Sequence, residues 1–413
     1  MRRAATTASA VVAAYVAGRS AGAQAPPERV TRTEAVARAV ARGPRLAIAR
    51  ADSLAAKARL GLARQFENPI LALGYSKDVP QQHVGLDVPI DLPWLRGPRI
   101  ASAAAGLAAA RLRVVFAQKA VAYEVDTAYT GSLSLAGRAR LSRRTALDAD
   151  SLLVIARIRR DAGDVSELDV QLASLNAGQL ANTAAADSLE ALSALLGVQA
   201  LMGLPAESPG VVLVDTLAPP AASTMGSGTA SLIAAAEEDV RSAEQLIALE
   251  RRRLFSPPSL TMGFSTRDPG GTGNEILPNV GIALPIPLFN QNAPSILAAQ
   301  AERDRATAEL ARLRIEIGAA LARARREAVA RRDRATRSRQ LVDGATRVAA
   351  LALLAYREGA ASLASVLEAQ RSAREAQSQY LTDVANALNA AGLVALLETS
   401  ASDSTAPTRR NSP

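Results

Sequence analysis

His83 is the only histidine in a chain of 413 residues that has no cysteine and four methionines. A serine or cysteine nucleophile needs a base within hydrogen-bond reach, and a soft metal site needs several His or Cys ligands. One imidazole in a predicted strand turn supplies neither, so no catalytic residue, no metal-ligand set and no cofactor is expected. The Gly-rich stretch from Asp268 to Gly273 lacks the lysine of a phosphate loop and lies between predicted strands, where it reads as a turn. The chemistry left is charge at turns. Arg160, Asp161, Gly163, Asp164 and Ser166 form one such group, accompanied by Arg157, Arg159, Glu167 and Asp169. Arg357, Glu358, Gly359 and Ser362 form a second, next to Tyr356. Each glycine suits a left-handed turn that ends one helix, and each serine suits the cap of the next; Ser166 and Asp169 stand at capping-box spacing. Opposite charges at such tips read, on their own, as ordinary helix-end charges.

These two groups lie 196 positions apart, and so does much else. The run beginning Val84-Gly-Leu-Asp-Val-Pro-Ile90 aligns with Val280-Gly-Ile-Ala-Leu-Pro-Ile286, and Pro98, Val170 and Ala173 align with Pro294, Val366 and Ala369. A register held over roughly 90 residues marks a duplicated unit. The first repeat spans 26–205, with a strand pair at 70–91 and a long helical hairpin at 99–203. The second spans 229–398, with a strand pair at 259–287 and a hairpin at 294–398. The Pro/Gly/Ser-rich segment 206–228 reads as the linker between them. Pro44 is expected to kink or break the first helix near Gly43. A proline-free helix of some 60 residues would run about 90 Å.

The net charge of +9 comes mostly from arginines dispersed along helical segments. That distribution fits solvated helix faces better than a nucleic-acid footprint, and no nucleic-acid partner is expected. Residues 1–25 start with Met-Arg-Arg, continue with an Ala/Val-rich run and end among alternating small residues, as a secretory signal peptide does. No other stretch is expected to reach the roughly 18 apolar residues of a membrane helix, so a membrane role falls to the strands. The Ser/Thr/Pro-rich tail at 399–413 is expected to be disordered.

In the strands, Leu71, Leu73 and Tyr75 alternate with small residues, as do Val84, Leu86, Val88 and Ile90; Leu260, Met262 and Phe264, and Val280, Ile282, Leu284 and Ile286, follow the same period. Four strands with one apolar face cannot close a barrel alone. Phe66, Trp94, Phe255 and Phe289 sit where strands meet helices, in a chain with only 12 aromatic residues, and would form an interfacial girdle on the helix side. The Phe-x-Asn-Pro start of the first strand, Val-Pro-Ile and Leu-Pro-Ile-Pro-Leu-Phe at the ends of the second and fourth, and Arg-Asp-Ala-Gly-Asp-Val-Ser-Glu-Leu-Asp at the tip resemble outer-membrane efflux proteins of the TolC type. The likeness covers roughly residues 30 to 398.

The resemblance implies a mainly α fold with a small β part: duplicated long helical hairpins forming an α-barrel, and four strands per chain contributing to a trimeric transmembrane β-barrel. It further implies a homotrimer in the cell outer membrane, in contact with its lipid and reaching into the periplasm. The partners would be a periplasmic adaptor (membrane fusion) protein and an inner-membrane efflux pump, and the two tips would form the gate or the adaptor contact. Metal cations, drug-like compounds and polypeptides are all open as cargo. A periplasmic coiled-coil adaptor or scaffold would share the hairpins but not the matched strand pairs.

Overall fold

The computed structural model describes residues 27–398 apart from 78–80, 221–229, 254–256, 267–275, 285 and 287–290, and the side chains at 44 and 45. The expected leader, Gly-rich turn and tail lie outside the described residues, as do Phe255 and Phe289 of the expected girdle.

The elements run β1 (Glu28–Val30), α1 (Arg32–Arg42), α2 (Pro44–Arg64), β2 (Ile70–Tyr75), β3 (Gln82–Pro89), α3 (Pro93–Asp161) and α4 (Glu167–Leu201), followed by β4 (Val211–Leu213). The second set is α5 (Ser231–Arg252), β5 (Ser259–Thr266), β6 (Ile276–Ala283), α6 (Ala293–Arg357) and α7 (Leu363–Leu397). Gly43 is extended and separates α1 from α2, with Pro44 at the first position of the new helix, where its missing N–H is not needed.

Three expectations need correction. First, α3 begins at Pro93 and not at Arg99, with Pro98 inside it. Proline cannot donate to the carbonyl four residues back, which here belongs to Trp94; Arg252 Nη1 donates to that carbonyl instead, at 3.1 Å, and the helix continues. Second, residues 206–228 are not all linker. β4 pairs in parallel with β1, Glu28 opposite Val211 and Val30 opposite Leu213. Three residues are too few to show a period of two. Third, the sequence of α3 and α7 is apolar enough, by length and composition alone, for a membrane span: 18-residue windows reach mean hydropathies of 1.5 and 1.3. Alanine supplies that value without supplying bulk.

Contacts divide the chain into two units. One holds the residues up to Ala41, Val125–Ala218 and Arg337–Ala385. There the buried Tyr129 hydroxyl lies 2.9 Å from the Val30 carbonyl and 2.8 Å from Asp215 Oδ2, which also accepts from the Arg32 amide at 2.7 Å. The buried Gln199 amide secures the chain leading to β4: Nε2 donates to the Pro205 and Ser208 carbonyls, and Oε1 accepts from the Gly210 and Val211 amides. Each hairpin carries a buried serine that donates to an aspartate on the returning helix, Ser142 to Asp187 and Ser338 to Asp383. These pairs stand 196 positions apart, so the duplication reaches side-chain detail.

The other unit holds Arg42–Glu124, Pro219–Thr336 and the chain from Asn386. It contains a four-stranded antiparallel sheet in the order β2-β3-β5-β6. The second strand pair ends at Ala283, so Leu284 and Ile286, expected in the strand, lie beyond it. His83 sits within β3 and not in a turn, with Nδ1 3.2 Å from Ser265 Oγ on β5. β2 and β6 form the sheet's two edges.

Burial, reinforced by the Asp215 carboxylate, pushes the Tyr129 phenol up from 10 to about 12. The native protein keeps this proton where the unfolded chain loses it, so its stabilising effect is complete below pH 10 and is lost as pH rises through about 12. Thermal melting in detergent should show the advantage of wild type over Tyr129→Phe shrinking across that window. A difference that stays constant with pH would contradict the assignment.

Candidate functional site

The two helical tips are built alike. In the first, the Gly163 amide donates to the Arg160 carbonyl at 2.9 Å and the Asp164 amide to that of Arg159 at 2.8 Å. In the second, Gly359 donates to Tyr356 and Ala360 to Ala355. This double closure requires a left-handed residue at the glycine, and Gly163 and Gly359 have φ of +85° and +76°. Ser166 then caps α4 with a complete capping box, its hydroxyl accepting from the Asp169 amide while Asp169 accepts from the Ser166 amide. Ser362 caps more simply, accepting from the Ser365 amide at 3.4 Å.

Beneath the tips, Leu152, Ala156, Val170 and Ala173 of the first hairpin pack with Tyr356, Leu363 and Val366 of the second. Arg159 ties the hairpins together. Its guanidinium lies over the Tyr356 ring, 4.8 Å from the centroid, and Nη1 donates to the Tyr356 carbonyl at 2.8 Å. Asp164 is a distant partner at 3.9 Å. Arg160 turns back on its own tip, bonded to Asp161 and Glu167, which hold its pKa above the usual value. Arg357 and Glu358 are exposed and, among the described residues, have no ion-pair partner in the chain. Of the charges singled out from sequence, only Arg159 thus crosses between tips. Spacing placed Arg159 and Tyr356 at the tips but gave no sign of their pairing.

The sheet displays Leu71, Leu73, Tyr75, Val280 and Ile282 on one face, all more than 60% exposed. On the other face Ala72, Gly85, Gly263 and Asn279 stand opposite one another across four strands. A Cβ on Gly263 would lie 2.5 Å from the Val84 carbonyl oxygen and 2.6 Å from Asn279 Oδ1, so this face has no room for a larger residue there. Phe66 and Trp94, the two described members of the expected girdle, are exposed at the strand–helix junctions, and Arg96 stacks 4.1 Å from the Phe66 centroid. Tyr75, at the opposite end of β2, is a further exposed aromatic. No group of three or more His, Asp or Glu is placed to hold a metal ion among the described residues.

Gly163→Ala and Gly359→Ala should each destabilise the protein by about 1 kcal/mol, the cost of a left-handed turn on an L-residue. The space at both positions is otherwise open or in ordinary contact. Denaturant unfolding checks this, and a stabilising effect would contradict it.

The family model described as outer membrane efflux protein matches residues 229–397. The chain is similar to the cobalt-zinc-cadmium resistance protein CzcC of Cupriavidus metallidurans, 26% identical over 151 residues, a match that spans 36% of this chain and 35% of that relative. It is similar to the nickel-cobalt-cadmium resistance protein NccC of Alcaligenes xylosoxydans xylosoxydans, 26% identical over 72% of this chain and 69% of the relative. In fold it matches a membrane protein from Pseudomonas aeruginosa with a TM-score of 0.75, at 20% identity, over 89% of this chain and 93% of the other. The CmeC outer membrane channel of Campylobacter jejuni matches with a TM-score of 0.73 at 15% identity, over 89% and 85%. That family is one of channels and transport proteins, not of enzymes. The tips and the paired strand hairpins belong to a fold shared with TolC-like channels, and the second repeat, residues 229–397, matches the outer membrane efflux protein family.

Proposed function

We propose that three copies of this chain form the outer-membrane exit duct of a tripartite export system, fed through the periplasm by an adaptor and an inner-membrane pump. One observation carries the reading. Large apolar residues stand exposed at seven-residue steps on both hairpins: Leu147 and Val154 on α3, Leu168 and Leu175 on α4, Leu341 and Val348 on α6. A seven-residue apolar step is the seam of one helix packing along another. Among the described residues, nothing in the chain covers that seam on either hairpin, and the sheet likewise ends in two unpaired edges. Further copies of the same chain satisfy both needs at once, since three times four strands gives an even-numbered closed barrel of the size outer membranes hold.

The duct acts by conduction. The apolar sheet face meets lipid, the small-residue face lines the lumen, and the tips form the periplasmic mouth. Arg159 on Tyr356 holds the two tips of each copy together at that mouth. Exposed Arg357 and Glu358 remain available to a neighbouring copy or to the adaptor. The names of the two curated relatives point to divalent metal cations as cargo.

Planar-bilayer recording tests this. The detergent-extracted protein should conduct, and Arg159→Ala should raise the open fraction about tenfold, as losing one charged hydrogen bond and one stacked cation together allows. Arg160→Ala, which breaks contacts within one tip only, should leave it unchanged. A soluble protein with no conductance would refute the proposal.

A further inference from the structure

Asp87 is the only Asp, Glu, Lys or Arg in the four strands of the sheet. It stands on the small-residue face, level with Ile70 on β2 and Thr261 on β5, and Gly281 continues the row on β6. No described group forms an ion pair with it, and its Oδ1 is shielded from solvent without accepting a hydrogen bond. A shielded carboxylate oxygen without a donor is costly, and folded proteins rarely leave one so. The cost is not relieved by assembly through the sheet edges. β3 is flanked on both sides by strands of its own chain, β2 and β5, so no strand of another copy reaches it. Among the described residues, none compensates the charge.

The surroundings make that charge effective. The neighbouring rows on this face, Ala72, Gly85, Gly263 and Asn279 on one side and Pro89, Ser259 and Ala283 on the other, carry no charge to neutralise it. The one other titratable side chain, His83, lies four residues further along β3, about 13 Å away at a strand's rise, and is engaged with Ser265.

We propose that Asp87 sets the ionic preference of the pore, three copies forming a ring of carboxylates at one level of the barrel wall that admits cations over anions. This rests on the duct reading, in which the small-residue face lines the lumen. Rings of acidic side chains favour cation passage by concentrating them locally. In a wide lumen the effect reaches only about a screening length, roughly 30 Å at 10 mM salt and 3 Å at 1 M. The ring thus deepens the cargo assignment: it suits small cationic species and offers nothing to anionic ones.

Reversal potentials across a salt gradient in planar bilayers test it. Wild type should show a cation-over-anion permeability ratio above one near 10 mM, approaching one near 1 M. Asp87→Asn should lower the low-salt ratio on the order of twofold or more. Thr261→Asp in the Asp87→Asn background, which returns a carboxylate to the same level on the adjacent strand, should restore it. A conducting wild type without cation preference at low salt overturns the proposal, as does an Asp87→Asn channel that keeps the wild-type ratio; both leave the duct standing. Should Asp87→Asn fail to assemble, the wild-type salt dependence and the double variant decide. Absence of any conductance by wild type would overturn the duct and the ring together.

Discussion

A sheet of four strands has two edges, and in lipid an edge cannot be left open. Each unpaired amide and carbonyl there would lose its hydrogen bond with no water to replace it, at several kcal/mol apiece. This constraint governs the rest of the chain. β2 and β6 cannot meet within one copy, because four strands are too few to curl into a closed wall. In the proposed duct, closure comes from other copies of the chain, and the same copies would lie beside its exposed helical seams. The exposed seven-residue seams of α3, α4 and α6 are the helical expression of the same requirement. An apolar sheet face that would be an aggregation hazard in water becomes the surface that lipid covers.

Duplication supplies most of the architecture, and divergence between the copies supplies the specific contacts. The offset of 196 relates Gly163 to Gly359 with the same two closing hydrogen bonds, and the pair Ser142–Asp187 to Ser338–Asp383. Where the halves differ, each difference serves one place. Arg159 corresponds to Ala355 and Arg160 to Tyr356, so the stacked cation joining the tips exists in one direction only. Asp87 corresponds to Ala283, which leaves one carboxylate per chain on the small-residue sheet face instead of two. A strict copy would have repeated both features.

Much of this was legible in the sequence because the signals were long or backbone-bound. The alternation of Leu71, Leu73 and Tyr75 with small residues, and the glycine-to-serine spacing of both tips, follow from geometry that few other residues satisfy. Pro98 misled because its usual effect was offset by a distant arginine, Arg252, whose contact with the Trp94 carbonyl has no local signature. β1 and β4 were hidden by brevity: Glu28–Val30 and Val211–Leu213 pair only because Tyr129, Asp215 and Gln199 hold them in place. Charges at the tips could be named but not matched. Arg160 and Arg159 are adjacent, equally long and equally charged, yet one serves its own turn and the other reaches 197 residues along the chain.

Closure by copies is the central claim, and the native mass of the complex tests it most directly. The protein should be expressed with its N-terminal segment, extracted from outer membranes in mild detergent and weighed intact by native mass spectrometry. Three chains per complex is the predicted result. A single chain, or protein recovered from the soluble fraction, would contradict the account, because the sheet edges and the helical seams would then have no partner.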